Sequence, residues 1–367
     1  MEYNMESLYQ QTQNMVSKAS QLSYSGPSML TADEKAFYYF LGSTVLNFDG
    51  VIVDAGCWLG SSSFYLGMGI QQSSKFTGAE IIYACDIFRW DKNHDQQIKK
   101  HSISLKENDD FQFLTNKFLE SLKVKVITKK VDYSISPTET QYHTGEPIEA
   151  LMVDAGKTPE LFFNILEGYL PYCIEDKSFI FFQDYRDYFC WFIPPVVSFL
   201  DDILEPVVYL KNGGAGFRFR NKRRVLERLK EAKVMFMNDA LLEKYYDKAT
   251  DQIGSKHPEV FYQLNANKVA LFLHQNHVTE AYFKSSENMH SVSIKNENVE
   301  LFKYLKRIDS SWPVRIHDSS VQNAYRRILH GVTGKKDLKL TYISIHSIKR
   351  RVLNPIYTKI FLKKLLR

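Results

Sequence analysis

Cysteine is scarce in this chain: Cys57, Cys85, Cys173 and Cys190 are the four in 367 residues, and no two form a C-x-x-C pair. That spacing excludes a disulfide framework and the common zinc modules. Most of the four sit in or beside apolar runs, so reduced, buried thiols of a cytoplasmic protein are expected. No run approaches the roughly 18–20 apolar residues of a membrane span. The start, Met1-Glu-Tyr-Asn-Met-Glu6, is polar and acidic, unlike a secretory signal peptide. Charge of one sign is also in short supply. Lys and Arg number 47 against 42 Asp and Glu, a net +5 that by itself points to no partner. No internal repeat is evident.

What the chain does have is enough apolar content, 44%, to bury a full core, and a length beyond one small domain. Its most informative stretch is Val51-Ile-Val-Asp-Ala-Gly-Cys-Trp-Leu-Gly60, followed by Ser61, Ser62 and Ser63. A β-branched run ends in Asp54, two glycines four apart follow, and Phe64 to Ile70 has helical periodicity. This spacing predicts a buried parallel strand, a tight turn and a helix whose free N–H groups face the strand ends. In open α/β sheets that crevice is where nucleotides bind. Gly56 and Gly60 are expected to let the backbone approach a ligand closely. Two nucleotide signatures are missing: Gly56-Cys-Trp-Leu-Gly60 lacks the middle glycine of G-x-G-x-x-G, and no P-loop lysine follows Gly60.

The acidic-x-Gly-x-x-x-Gly pattern Asp54 to Gly60 resembles motif I of class I S-adenosylmethionine-dependent methyltransferases. The alternative on so short a pattern is a generic glycine-rich strand–helix turn. Ile81-Ile-Tyr-Ala-Cys-Asp86 is a second apolar run ending in an acid, at βαβ spacing. A carboxylate there offers both oxygens to ribose hydroxyls. Ile87 opens Ile87-Phe-Arg-Trp90, a candidate wall beside the adenine. Asp132, past a third strand, resembles the acid that lies near the adenine amino group in this family; a plain loop acid is the other reading. By the resemblance, Asp54, Gly56, Trp58, Gly60, Ser61, Asp86, Ile87 and Asp132 would line the S-adenosyl-L-methionine site.

Ile148-Glu-Ala-Leu-Met-Val-Asp154-Ala-Gly-Lys-Thr-Pro159 and Ser178-Phe-Ile-Phe-Phe-Gln-Asp184-Tyr are similar to segments of the sugar O-methyltransferases of the macrocin type. Those read "IDxxHxY" and then "xDY" or "DDY". The resemblance implies that Asp154 and Asp184 stand over the methyl-transfer site and hold a divalent metal such as Mg²⁺. Their other reading is as caps of the following helices. Two departures weigh against metal: Lys157 stands where many relatives carry histidine, and Gln183 where the macrocin type carries an acid. Mg²⁺ wants an octahedral oxygen set, which Asp154, Asp184 and the Gln183 carbonyl would have to supply. Otherwise Lys157 or Gln183 would orient substrate directly.

Along the chain, residues 1–48 are expected to be a helical extension, with a turn at Ser25-Gly-Pro-Ser28 and a helix over 34–42. Residues 49–221 should form a Rossmann-like α/β domain, a seven-stranded, mostly parallel sheet with helices on both faces. Strands are expected near 51–54, 81–86, 124–128, 149–154, 178–183, 206–210 and 215–219, the last two as a hairpin about Asn212-Gly-Gly-Ala-Gly216. An antiparallel strand belongs at that place in the family. The resemblance covers about residues 40–220, half of the chain. Residues 222–348 read as mainly helical, with candidates over 225–250 and 260–276 and a loop over 285–298. His274 and His277 lie three apart, as exposed histidines or as metal ligands. The tail 349–367 is basic, acid-free and amphipathic, suited to an anionic membrane surface, to docking on its own domain, or to nucleic acid. It lacks the aromatic interleaving of a nucleic-acid platform.

The resemblance therefore implies a methyltransferase acting on a hydroxyl of a sugar or sugar-containing small molecule, in carbohydrate biosynthesis. A non-catalytic methyltransferase-like scaffold and an RNA methyltransferase are the alternatives. An Asn-Pro-Pro-Tyr-type motif is absent after the fourth strand, which disfavours base N-methylation.

Overall fold

The computed structural model describes residues 5–143, 145–187, 190–211 and 214–253, with Val260, Leu264, Lys268 and Leu271, all helical, beyond them. The chain divides into two compact units after Leu264. All elements below lie in the first. His274, His277, the loop expected over 285–298, the tail 349–367 and most of the helix expected over 260–276 lie outside the described residues.

Seven strands form one sheet: β1 Val51–Ala55, β2 Ile81–Asp86, β3 Lys125–Lys130, β4 Ile148–Val153, β5 Phe179–Phe182, β6 Leu204–Tyr209 and β7 Ala215–Phe219. Their order is β3-β2-β1-β4-β5-β7-β6, and every pairing is parallel except those of β7, which runs against both β5 and β6. The fold is thus α/β with a mostly parallel sheet, compatible with a Rossmann-like arrangement. All residues of β1, β4 and β5 are buried, as expected for continuous apolar strands covered on both faces.

Among the elements described in full, ten α-helices accompany the sheet: α1 Met5–Asn14, α2 Val16–Ser20, α3 Ala32–Phe40, α4 Ser61–Gln72, α5 Asp95–Ile98, α6 Gln112–Leu119, α7 Pro159–Tyr169, α8 Ile193–Phe199, α9 Val225–Phe236 and α10 Asp239–Ile253. Strand alternation sorts the core into two layers. Ile52, Ala150, Met152, Phe179 and Phe181 join Phe37 of α3 and Leu66 and Ile70 of α4 in one cluster. On the other strand face, Phe182 meets Phe162 of α7 at 5.4 Å, and Phe162 meets Phe192 at 5.7 Å.

The N-terminal helices are built into this core. Ala36 to Leu41 are all buried, and the Phe37 ring stacks on Phe181 at 4.6 Å. The expected helix over 34–42 begins two residues earlier. Thr31 and Glu34 form a capping box that starts α3 at Ala32, and a π-turn at Leu41–Val45 ends it. The helical stretch expected over 225–250 is two helices, α9 and α10.

Candidate functional site

The strand order reverses between β1 and β4, because β1 pairs with β2 on one side and β4 on the other. In open α/β sheets such a switch point is where a ligand crevice lies, beyond the carboxyl ends of the strands. Ala55 lies level with Cys85 and Val153, and Val153 with Phe182. The residues one or two steps further, Gly56, Asp86, Asp154, Gln183 and Asp184, therefore gather along one rim.

Asp54, next to last in β1, has 1% of its surface exposed. Ser62 Oγ at 2.6 Å and Ser63 Oγ at 2.5 Å both donate to its Oδ2. Oδ1 is buried without a hydrogen-bond partner, a costly arrangement for a carboxylate unless a donor arrives. Burial pushes the Asp54 carboxyl up to about 6 against the pull of the two serines. Ser61, expected at the cofactor, shares a 2.6 Å hydrogen bond with Ser28 of the N-terminal segment. Tyr24 of that segment donates to the Leu59 carbonyl. The extension is thereby pinned over the glycine turn.

The glycines serve the fold's own packing. Gly56 has φ of +99°, and a Cβ on it would lie 2.4 Å from the Ala155 nitrogen. Gly60 has φ of +90°, with the Leu119 side chain 3.0 Å from its missing Cβ. Packing alone therefore requires glycine at both positions, besides the clearance for a ligand expected from the sequence. They let β1 turn against the β4 tip and against α6.

Asp86 has a task that spacing alone does not disclose. Its Oδ2 accepts the Trp58 N–H at 2.9 Å and its Oδ1 the Phe88 N–H at 3.0 Å. Trp58 and Phe88 are non-glycine residues at φ of +45° and +51°, a conformation that costs bulky side chains energy. One carboxylate thus ties down two strained turns, and lone pairs remain on both oxygens. Burial raises the Asp86 carboxyl, opposed by these backbone donors. Trp58 lies near-parallel to Trp90 at 6.2 Å, with His94 5.5 Å from Trp58. Trp58 Nε1 and His94 Nδ1 are buried without partners. Of the stretch 87–90, expected as a wall, Trp90 is buried against Trp58. Ile87 is half-buried beside it, and Phe88 is wholly buried against Phe111. Asp132 accepts the Ser134 N–H at 3.0 Å and Ser134 Oγ at 2.6 Å, closing its own turn.

Asp154 and Asp184 do come together. Lys157 Nζ lies between them, ion-paired to Asp154 Oδ1 and Asp184 Oδ2. Among the described helices that follow them, Thr158 is the N-cap of α7 and Phe192 that of α8. Burial lifts both carboxyls to about 6, with Lys157 opposing. Burial alone would favour neutral Lys157, but the two carboxylates outweigh it and hold the ammonium protonated. Tyr38 donates to Gln183 Oε1 at 2.8 Å, and Cys190 Sγ lies 3.9 Å from Asp184 Oδ2.

Two site residues were not expected from the sequence: Glu34 and Tyr38, both on α3. Glu34 is buried, feels the charges of Asp154 and Asp184, and is pushed by burial to about 8. The Thr31-x-x-Glu34 capping box was the available signal, although it announces a helix start rather than a site.

The donor set fits an organic cation better than a metal ion. Asp54, Asp86, Asp154 and Asp184 are linked through mutual electrostatic influence, which favours positive ligands. The unpartnered Asp54 oxygen matches an ammonium donor. A divalent cation at Asp154 and Asp184 would meet the Lys157 ammonium already between them. The Gln183 oxygen that would complete its shell is engaged by Tyr38. Among the described residues no cluster of three or more His, Cys, Asp or Glu is arranged to hold a metal. No family model matches the chain, and no curated protein matches it at a significant level.

Proposed function

We propose that the protein is an S-adenosyl-L-methionine-dependent methyltransferase acting on a hydroxyl of a sugar or sugar-containing small molecule. The observation that carries this reading is the acid-rich crevice at the switch point, in which buried Asp54 keeps an oxygen without a partner. Phosphate-bearing nucleotides need N–H cradles and basic groups; a row of carboxylates repels them. A ligand carrying a sulfonium and an ammonium suits it. The acid at the β2 tip and the antiparallel strand beside β5 agree with the family resemblance, on which the choice of a sugar acceptor rests.

The bound cofactor would supply an electrophilic methyl group on a positively charged sulfur. Asp54 would take its ammonium, and Asp86 its ribose hydroxyls while holding Trp58 in place. The pocket's main contribution would be proximity and alignment. When the acceptor oxygen exchanged its proton for that methyl group, Asp184 or Asp154 would take the proton. Each is mostly ionised above about pH 6.

Ligand class is the direct test. Thermal melts of the full-length protein with S-adenosylmethionine, S-adenosylhomocysteine, ATP and NAD are expected to show stabilisation by the first two and none by the phosphates. Stabilisation by ATP or NAD alone would overturn the reading.

A further inference from the structure

Resting on that reading, we propose that Lys157 is a built-in replacement for the divalent cation. Its ammonium is the positive charge between Asp154 and Asp184, and methyl transfer proceeds there without a metal.

The local backbone makes Lys157 a fixed part of the site. Lys157 N–H donates to Ala155 O at 2.8 Å, and the next residue, Thr158, is the N-cap of α7. The chain therefore folds tightly between the β4 tip and the helix, and Nζ returns over Asp154 three residues back. The same ammonium reaches Asp184 beyond β5, so it clips two strand ends together where a metal would otherwise bridge them.

Three features of the surroundings agree. Mg²⁺ takes oxygen ligands at about 2.0–2.1 Å in an octahedron, so it would have to displace an ammonium held by two carboxylates. The Gln183 amide oxygen accepts from Tyr38 at 2.8 Å and is engaged in the fold. Cys190, which touches Asp184 at 3.9 Å, offers a neutral thiol where a hard cation would need oxygen. The Lys157 side chain is 43% exposed, so an acceptor approaching through the crevice meets the ammonium and both carboxylates. Lys157 keeps its proton throughout; the acceptor's proton goes to a carboxylate. Lys157 is therefore a positioning residue. It holds the two acids together.

The test is Mn²⁺ uptake by the full-length protein, read from the electron paramagnetic resonance signal of free Mn²⁺, in wild type, Lys157→Ala, Lys157→Gln and Asp154→Asn. Wild type is expected to take up no Mn²⁺ at about 1 mM, while Lys157→Ala binds it at least about tenfold more tightly. Mg²⁺ should then raise the melting temperature of Lys157→Ala but not of wild type. A purely structural lysine would give no such gain of metal binding. If Lys157→Ala does not fold, Lys157→Gln, which also removes the ammonium, carries the comparison. Stoichiometric Mn²⁺ uptake by wild type that Asp154→Asn abolishes would overturn the proposal. S-adenosylmethionine is titrated into the same samples. Its binding together with wild-type Mn²⁺ uptake refutes only the replacement by Lys157. Its failure to bind folded wild type refutes the methyltransferase reading itself.

Discussion

Glu34 offers the sharpest quantitative handle on the crevice. Burial moves its carboxyl from the ordinary 4.5 to about 8 in the folded protein, assisted by the charges of Asp154 and Asp184 and opposed by the Thr31 N–H and hydroxyl. The folded state therefore binds a proton that the unfolded chain has released between those values, and stability falls as pH rises through that window. At about 1.4 kcal/mol per pH unit, the full loss above pH 8 is about 5 kcal/mol, a large fraction of a typical domain's stability. Glu34→Gln removes the titration and keeps a carbonyl oxygen to accept both Thr31 donors, now made to Oε2 at 2.8 and 3.0 Å. Urea unfolding of both proteins at matched ionic strength should show the variant gaining on wild type by about 4 kcal/mol between pH 5 and 8.5. Asp54, Asp154 and Asp184, each near 6, titrate in both proteins and largely cancel in the difference. A difference that stays flat across the range would refute the reasoning: Glu34 would then be ionised in the folded protein, and the crevice more hydrated than its packing implies.

Other perturbations separate the roles of the rim. Asp86→Ala orphans the Trp58 and Phe88 N–H groups at two strained positions, so it should cost about 2–4 kcal/mol in urea and weaken S-adenosylmethionine binding tenfold or more by calorimetry; Asp86→Asn, which keeps one acceptor oxygen, should fall between. Gly56→Ala places a Cβ 2.4 Å from backbone and at φ of +99°, and is expected to cost more than about 3 kcal/mol in denaturant. Gly60→Ala meets only the flexible Leu119 side chain and should cost about 1–2 kcal/mol; equal losses would contradict the packing assigned to Gly56. Tyr38→Phe removes the bond to Gln183 and should cost about 1 kcal/mol, read as a shift of the urea midpoint.

The parallel interior strands β1, β2, β4 and β5 were legible because each is a mainly apolar run with an acid at or just beyond its end, and nothing in a buried parallel strand competes with that pattern. The sheet edges were less so. β6 begins two residues before its expected start, and Pro206 sits within it beside a register irregularity; an edge strand tolerates the missing N–H. β3, at the other edge, extends to Lys130 because its outer side chains can reach solvent. The acids of the rim were readable for the same reason as the strands they end. Their duties were not. That Asp86 clamps Trp58 and Phe88 depends on two left-handed residues 30 positions apart in the sequence, and local propensity carries no trace of such a bond. Glu34 and Tyr38 reach the crevice only because α3 packs across the sheet through Phe37 and Phe181, a tertiary contact without a local signature. Lys157 stood out by position, and the geometry gives that position a meaning: an ion pair to both acids at once.

The central claim, an acid-lined pocket for a sulfonium cofactor organised around the unpartnered oxygen of Asp54, is tested most directly by calorimetric titration of S-adenosylmethionine into wild type and Asp54→Asn. The asparagine oxygen can still accept from Ser62 and Ser63, while its amide would face the ligand where a bare carboxylate oxygen now lies. Saturable binding to wild type, weakened at least about tenfold in Asp54→Asn (about 1.4 kcal/mol or more) with the fold intact, is the predicted result. No heat of binding to folded wild type, or equal affinity in the two proteins, would contradict it.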